Sequence, residues 1–256
     1  MCLGFVFNKK LKTLCPFEEF SSPELVKEKV KPCENLVSNN VPGVIDKNNE
    51  DYNFSNLPTT TIYNSLNSNI TTNTYYSTCE RLIQFNDNHC GIYDLCTKFV
   101  RNLKKLSRME VEKRTDYCEY ITQWVYDEVR KIPNIVLENM NDTDALREFF
   151  NAIYEILRKL DITDCFFSTM NINFYEQKEK KYLHDYFKNY EKLKDENICK
   201  DDECKRYCKY IFFINDLYGK YINRSCYCYK SEGCKEHYPY YFKCDDNYNP
   251  HTLLAT

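Results

Sequence analysis

The sequence predicts an all-α fold: a disulfide-stabilised helical bundle ending in an irregular C-terminal tail rich in cysteine and tyrosine. Three observations carry this expectation. Apolar residues recur at three- and four-residue spacing in successive segments after residue 90, glycine is scarce at 5 of 256 residues, and 15 cysteines stand beside only 4 histidines. That spacing lines one face of a helix. Few glycines suit helices better than a sheet rich in tight turns. Cysteine at this density indicates an oxidising compartment, where disulfides persist.

Each helix has its own signal. From Ile92 to Leu106 the residues Ile92, Leu95, Cys96, Phe99, Val100, Leu103 and Leu106 form one apolar stripe. From Tyr117 to Ile132 the stripe is Ile121, Trp124, Val125, Val129 and Ile132, and Pro133 ends it. Asp144 to Leu160 follows, with Leu146, Phe149, Phe150, Ile153, Leu157 and Leu160 inward and Asp142 or Thr143 as N-cap. Tyr175 to Lys194 places Tyr182, Leu183, Tyr186, Phe187, Tyr190 and Leu193 on one side, with a solvated Lys/Glu face and His184 on its polar flank. Asp202 to Asn223 closes the set with Cys204, Tyr207, Cys208, Ile211, Ile214, Leu217, Tyr218 and Tyr221. Shorter helices are expected around Pro23 to Val30 and Thr78 to Gln84. The Asn/Ser/Thr-rich stretch from Ser38 to Thr78 reads as a long surface loop. The expected organisation is thus a single domain over 1–256, with a loop insert at 38–78 and a helical, cysteine-rich core over 90–256.

Composition excludes several functions. Net charge is −3 (35 cations, 38 anions), which argues against a whole-domain nucleic-acid binder. Gly4, Gly43, Gly91, Gly219 and Gly233 are isolated from one another, so no phosphate-cradling loop exists. No apolar run reaches bilayer length, and the stretch Cys2 to Phe7 is too short for a signal-peptide core. His89, His184, His237 and His251 lie in unrelated contexts, without H-E-x-x-H or G-x-S-x-G. Catalysis and cofactors are therefore not expected. Asp245 and Asp246, with Asn247 and Asn249, lack the glycine and terminal glutamate of a calcium loop and read as solvated turn residues.

The cysteines admit two readings. Cys199, Cys204, Cys208, Cys226, Cys228, Cys234 and Cys244 crowd the C-terminal part, yet no C-x-x-C occurs, which disfavours zinc. Disulfides are the better account, with Cys79, Cys90, Cys96, Cys118 and Cys165 as further candidates. Cys204 and Cys208, one turn apart on a helix, cannot bond each other, so each needs another partner, from the tail or a neighbouring helix. Fifteen is odd, so at least one thiol is left over; Cys2 is the expected one.

For contact with a partner, Arg101, Lys104, Lys105 and Arg108 recur at helical spacing opposite an apolar stripe. They read either as a solvated basic face or as a contact for sulfated glycans or acidic patches on a host protein. Tyr238, Tyr240 and Tyr241, with Tyr227 and Tyr229, either anchor a partner or strap the helices. N-glycosylation sequons occur at Asn53, Asn69, Asn141 and Asn223.

Five blocks add a resemblance. Cys118-Glu-Tyr-Ile-Thr-Gln-Trp-Val-Tyr-Asp, Tyr182-Leu-His-Asp-Tyr-Phe-Lys-Asn-Tyr, Cys204-Lys-Arg-Tyr-Cys-Lys-Tyr-Ile, Asp216-Leu-Tyr-Gly-Lys-Tyr-Ile and Tyr241-Phe-Lys-Cys-Asp-Asp-Asn-Tyr-Asn-Pro, then Leu253-Leu254, follow in order. From Cys90 onward the chain resembles the vir-type branch of the Plasmodium interspersed repeat superfamily, the variant surface antigens of malaria parasites. The resemblance implies an ectodomain displayed on infected red cells, anchored in the membrane beyond residue 256. It implies antigenic variation, with adhesion to a host cell-surface protein or engagement of an immune receptor. It also implies a parasite that N-glycosylates poorly, leaving the sequons bare in the native setting. A secreted cysteine-rich hydrolase and a structural or transport component without a host ligand are the alternatives.

Overall fold

The computed structural model describes residues 52, 54–69, 77–135, 143–167, 173–195, 197–200, 202–226 and 241–254. All regular structure among them is helical. In chain order these are α1 (Pro58–Asn67), a 3₁₀ helix (Ser77–Phe85), α2 (Ile92–Leu106), α3 (Val111–Arg130), α4 (Asp144–Lys159), α5 (Phe174–Leu193), α6 (Asp202–Cys226), a short 3₁₀ turn (Asp246–Tyr248) and α7 (His251–Leu254). The helix expected around Pro23 to Val30 lies outside the described residues.

The chain gathers into two compact units, one built mainly from residues 62–178 and the other from 48–61 with 179–256. The first unit holds α2, α3, α4 and the longer 3₁₀ helix. Its core joins Leu95, Phe99, Leu103, Ile121, Trp124, Val125, Phe149, Ile153 and Phe174. Phe99 lies parallel to Trp124 and edge-on to Phe149 and Phe167, the offset and T-shaped arrangements that ring quadrupoles favour. α2 begins and ends as its stripe predicts. Thr143 caps α4 by accepting from the Leu146 amide at 3.3 Å. α3 starts earlier than its apolar residues suggest, because Arg114 donates to the Met109 and Ser107 carbonyls, both at 3.0 Å, and holds the entering turn.

The second unit is tyrosine-rich. Its core contains Tyr182, Tyr186, Tyr190, Tyr207, Tyr210, Tyr218 and Tyr221, with Leu183, Phe187, Ile211, Ile214 and Phe242. Buried phenols need acceptors, and backbone carbonyls of the tail supply two. Tyr186 donates to the Tyr248 carbonyl at 2.9 Å and Tyr190 to that of Asn247. Burial drives the Tyr186 phenol far above its ordinary value and pushes Tyr207 up to about 12.

Two expectations are corrected here. The 38–78 loop contains α1: Pro58 opens it, and Leu66 is fully buried. The polar face given to the helix near 175–194 is only partly solvated: Glu191 is exposed and most of its lysines are half-buried, but Glu179, His184, Asp185 and Asn189 are buried. The short helix expected around Thr78 to Gln84 is present as the 3₁₀ helix, tied to α2 through sulfur.

Four disulfides are described. Cys79–Cys96 joins the 3₁₀ helix to α2, and Cys118–Cys165 joins α3 to the segment after α4. Cys199–Cys204 closes a short loop onto the first turn of α6, and Cys226–Cys244 fastens the end of α6 to the tail. Cys90 and Cys208 are also disulfide-bonded. Cys204 and Cys208 indeed do not bond each other. The partner of Cys204 is the local Cys199, not the tail or a neighbouring helix. Cys2, Cys228 and Cys234 lie outside the described residues.

Loop length ranks these links. Cys118–Cys165 spans 47 residues, for which chain entropy gives about 4 kcal/mol, whereas the five-residue Cys199–Cys204 link gives about 2 kcal/mol. Urea unfolding of C118A/C165A and C199A/C204A should show losses in about that two-to-one ratio. Equal losses would mean that packing around the sulfurs, and not chain restriction, dominates.

Candidate ligand-contact site

The four basic residues singled out from the sequence come together around one open cavity of about 430 Å³, and among the described residues they are its lining: Arg101, Lys104, Lys105 and Arg108. All four project from the C-terminal half of α2 and the turn after it. Leu103 and Leu106, between them in sequence, are fully buried and hold this helix in the core. The periodicity that seals the apolar stripe thereby forces the cations outward.

Their local roles differ. Arg101 reaches across to the C-terminal end of α1, where carbonyls have no helical partner. Its guanidinium donates to the carbonyls of Leu66 at 2.5 Å, Ser65 at 3.4 Å and Ser68, and to the Ser68 hydroxyl at 3.1 Å. The buried Asn102 adds a bond from Nδ2 to the same Leu66 carbonyl at 2.9 Å and accepts from Arg101 Nε at 3.2 Å. Arg101 is therefore both a lining cation and the cap of α1. Nothing in the local sequence of α1 announces this, because the capping group lies more than thirty residues away. Lys105 sits 5.1 Å from the centre of the Tyr117 ring, a cation–π contact. Lys104, Lys105 and Arg108 are exposed.

The aromatic candidates fare differently. Tyr238 and Tyr240 lie outside the described residues. Tyr241 is 9 % exposed, edge-on to Tyr221, with Lys180 Nζ 5.4 Å from its ring centre. Its ring belongs to the core of the second unit, so it is not a surface anchor. Next to it, Tyr221 and Lys220 both donate to the buried Glu179 carboxylate at 2.6–2.7 Å, locking α6 onto α5.

Three constellations weighed for chemistry have places in the structure. The cysteines considered for zinc are bridged: Cys199 with Cys204, and Cys208 in a disulfide of its own. A sulfur in a disulfide has no thiolate to offer a metal. Asp245 caps the 3₁₀ turn by accepting from the Asn247 amide at 2.9 Å. His184 is not on a polar flank; it is 1 % exposed, with Nδ1 3.1 Å from Asp185 Oδ1, while Lys181 binds Oδ2 at 2.6 Å. A histidine against a carboxylate thus exists, but both groups are buried on consecutive residues of α5, closed to a substrate. Burial works to raise the Asp185 carboxyl, yet the Lys181 ammonium and the His184 hydrogen bond outweigh it and hold it below the ordinary 3.8.

The described residues thus form a disulfide-braced helical domain with an exposed cationic cavity on α2. The family model described as Plasmodium vivax Vir protein matches residues 57–256. The chain belongs to that family, whose members are variant surface antigens of Plasmodium, exported or at the cell surface, and are not known as enzymes. The match begins at residue 57, well upstream of Cys90, so α1 and the first disulfide fall within it. The comparisons with curated proteins and with solved structures gave no match. Among the described residues no helix is long and apolar enough to cross a membrane.

Two outcomes are expected. R101A should cost about 1 kcal/mol by removing the guanidinium from the α1 end, where Asn102 and Ser68 keep only some of the carbonyls bonded, and R101K nearly as much, since an ammonium cannot fork to three acceptors. R108A should stay within about 0.5 kcal/mol of the parent. Denaturant melts separate them; matched losses at both positions would remove Arg101 from its capping role. Because the folded Asp185 value is depressed, its contribution is complete above the unfolded value of 3.8 and lost as pH falls through the lower folded one. D185N should therefore lower stability at neutral pH and flatten its fall below pH 3.8, as read from melting temperature against pH.

Proposed function

We propose that this chain is the host-facing domain of a variant surface antigen on infected red blood cells, and that it binds a host cell-surface protein in adhesion or immune evasion. The observation that carries this reading is the cation-lined cavity on the exposed side of α2, in a chain whose described cysteines are all consumed in cross-links. Such a body tolerates change at exposed positions, because covalent links and buried rings, not surface residues, hold it together. Electrostatic complementarity of this kind steers encounter and selects partners more than it adds raw affinity. The sealed His184–Asp185 pair offers no comparable support for a hydrolase.

A panel of host red-cell, endothelial and leukocyte receptor ectodomains, probed with the disulfide-intact protein, tests the reading. At least one saturable partner is expected, with binding lost on reduction of the disulfides. Absence of any reproducible partner across the panel would favour a structural or transport role in the infected cell.

A further inference from the structure

We infer that the cavity lined by Arg101, Lys104, Lys105 and Arg108 is a binding site for a sulfated glycan, a ligand assignment that rests on the recognition role proposed above. Several lysines elsewhere on the described elements pair with a carboxylate about one turn away. Lys98 pairs with Asp94 at 2.8 Å, Lys113 with Glu110 at 2.6 Å, Lys131 with Asp127 and Glu128 at 3.1 and 2.6 Å, and Lys159 with Glu155 at 2.6 Å. The cavity segment breaks that habit. From residue 99 to residue 109 there is no aspartate or glutamate, while four cations fall at three- and four-residue spacing. Among the described residues, no carboxylate oxygen lies within ion-pair distance of Lys105 or Arg108. A chain of net charge −3 has concentrated cations around one concavity.

The helix dipole does not account for this. Lys104 and Lys105 lie in the last turn of α2, where a cation complements the carbonyl end. Arg101 lies before that turn and Arg108 beyond the helix, yet both line the same cavity. Its volume falls in the range of small-ligand sites.

The chemistry of the lining selects the ligand class. Protein partners are usually gripped through apolar or aromatic anchors in a desolvated centre. The described lining offers cations only. Charges one helical turn apart, about 5–6 Å, present several contacts in series, as a linear polyanion requires and a single phosphate does not. Arg101, fixed by the α1 carbonyls, sets the wall against which the other three act. Asn69, exposed and in the sequon Asn69-Ile70-Thr71, follows Ser68, whose carbonyl and hydroxyl Arg101 holds. A sugar attached there would crowd the same cavity.

The test uses the disulfide-intact chain and a fluorescent, fully sulfated heparin octasaccharide, with its desulfated counterpart, inorganic sulfate and polyglutamate as comparators. Binding of the sulfated oligosaccharide is expected, weakening roughly tenfold or more between about 50 and 200 mM salt. K104E/K105E/R108E should reduce affinity at least about tenfold, and the neutral K104Q/K105Q/R108Q by less, with circular dichroism unchanged. Protein bearing a sugar on Asn69 should bind more weakly than N69Q. The inference is overturned if the octasaccharide does not bind, if neither triple variant weakens it, if polyglutamate binds as tightly, or if Asn69 glycosylation leaves affinity intact. A receptor from the ectodomain panel that still binds K104E/K105E/R108E would leave the recognition role standing without a glycan site.

Discussion

Cross-linked sulfur is the constraint on which this molecule depends. Each described disulfide ties a helix to a non-helical segment or to the short 3₁₀ helix, and none joins two long helices. Cys96 on α2 holds the 3₁₀ helix, Cys118 on α3 holds the segment after α4, and both ends of α6 are fastened, by Cys204 and by Cys226. Long amphipathic helices already bury enough apolar surface to find each other. Segments with few apolar residues do not, so covalent restriction does most where burial does least. The tail illustrates this: Cys244 brings Phe242 and Tyr248 against α5 and α6, where their rings complete the aromatic core.

The second unit meets a different demand. Tyrosine fills space as phenylalanine does but brings a hydroxyl that cannot be left dry. The structure answers by aiming buried phenols at tail carbonyls, at Asn56 and at Glu179. These bonds are directional where ring contacts are not. They give the tail and residues 54–61 defined positions on α5 and α6: Phe54 stacks on Tyr207 at 3.9 Å, and Thr59 exchanges two hydrogen bonds with Asn189. The buried Lys181–Asp185–His184 group is consistent with that role, since fully paired charges in a core specify arrangement more than they stabilise.

Helix identity was legible wherever one apolar stripe faced one core. α2 shows this best: all seven residues of its stripe are buried, joined by Thr97 and Asn102. The same logic failed for α5, where charged and polar side chains in the sequence suggested a wet face. Glu179 and Asn189 are buried there with partners on other segments, and His184 and Asp185 with each other and Lys181 on the same helix. Sequence spacing cannot show partners supplied from a distance. α1 was hidden by its Asn, Ser and Thr content, although Pro58 at its first position and Ile62 with Leu66 four apart are a usable signal. The basic quartet was readable as a cluster, but not the division of labour within it. That division comes from α1, an element that the sequence presented as loop.

Arg101 joins the two halves of the problem. A surface cation that only recognises a ligand is expendable to the fold and free to vary. A cation that also closes a helix end is held in place by three carbonyls before any ligand arrives, so it loses little freedom on binding. Lys104, Lys105 and Arg108 lie on the same helical face without that duty. On the recognition role proposed above, a change of charge at these three positions would change the partner, while the guanidinium wall and the sulfur cross-links would preserve the cavity's shape. A fixed frame with exchangeable charge would then let one fold present different surfaces without refolding anew for each.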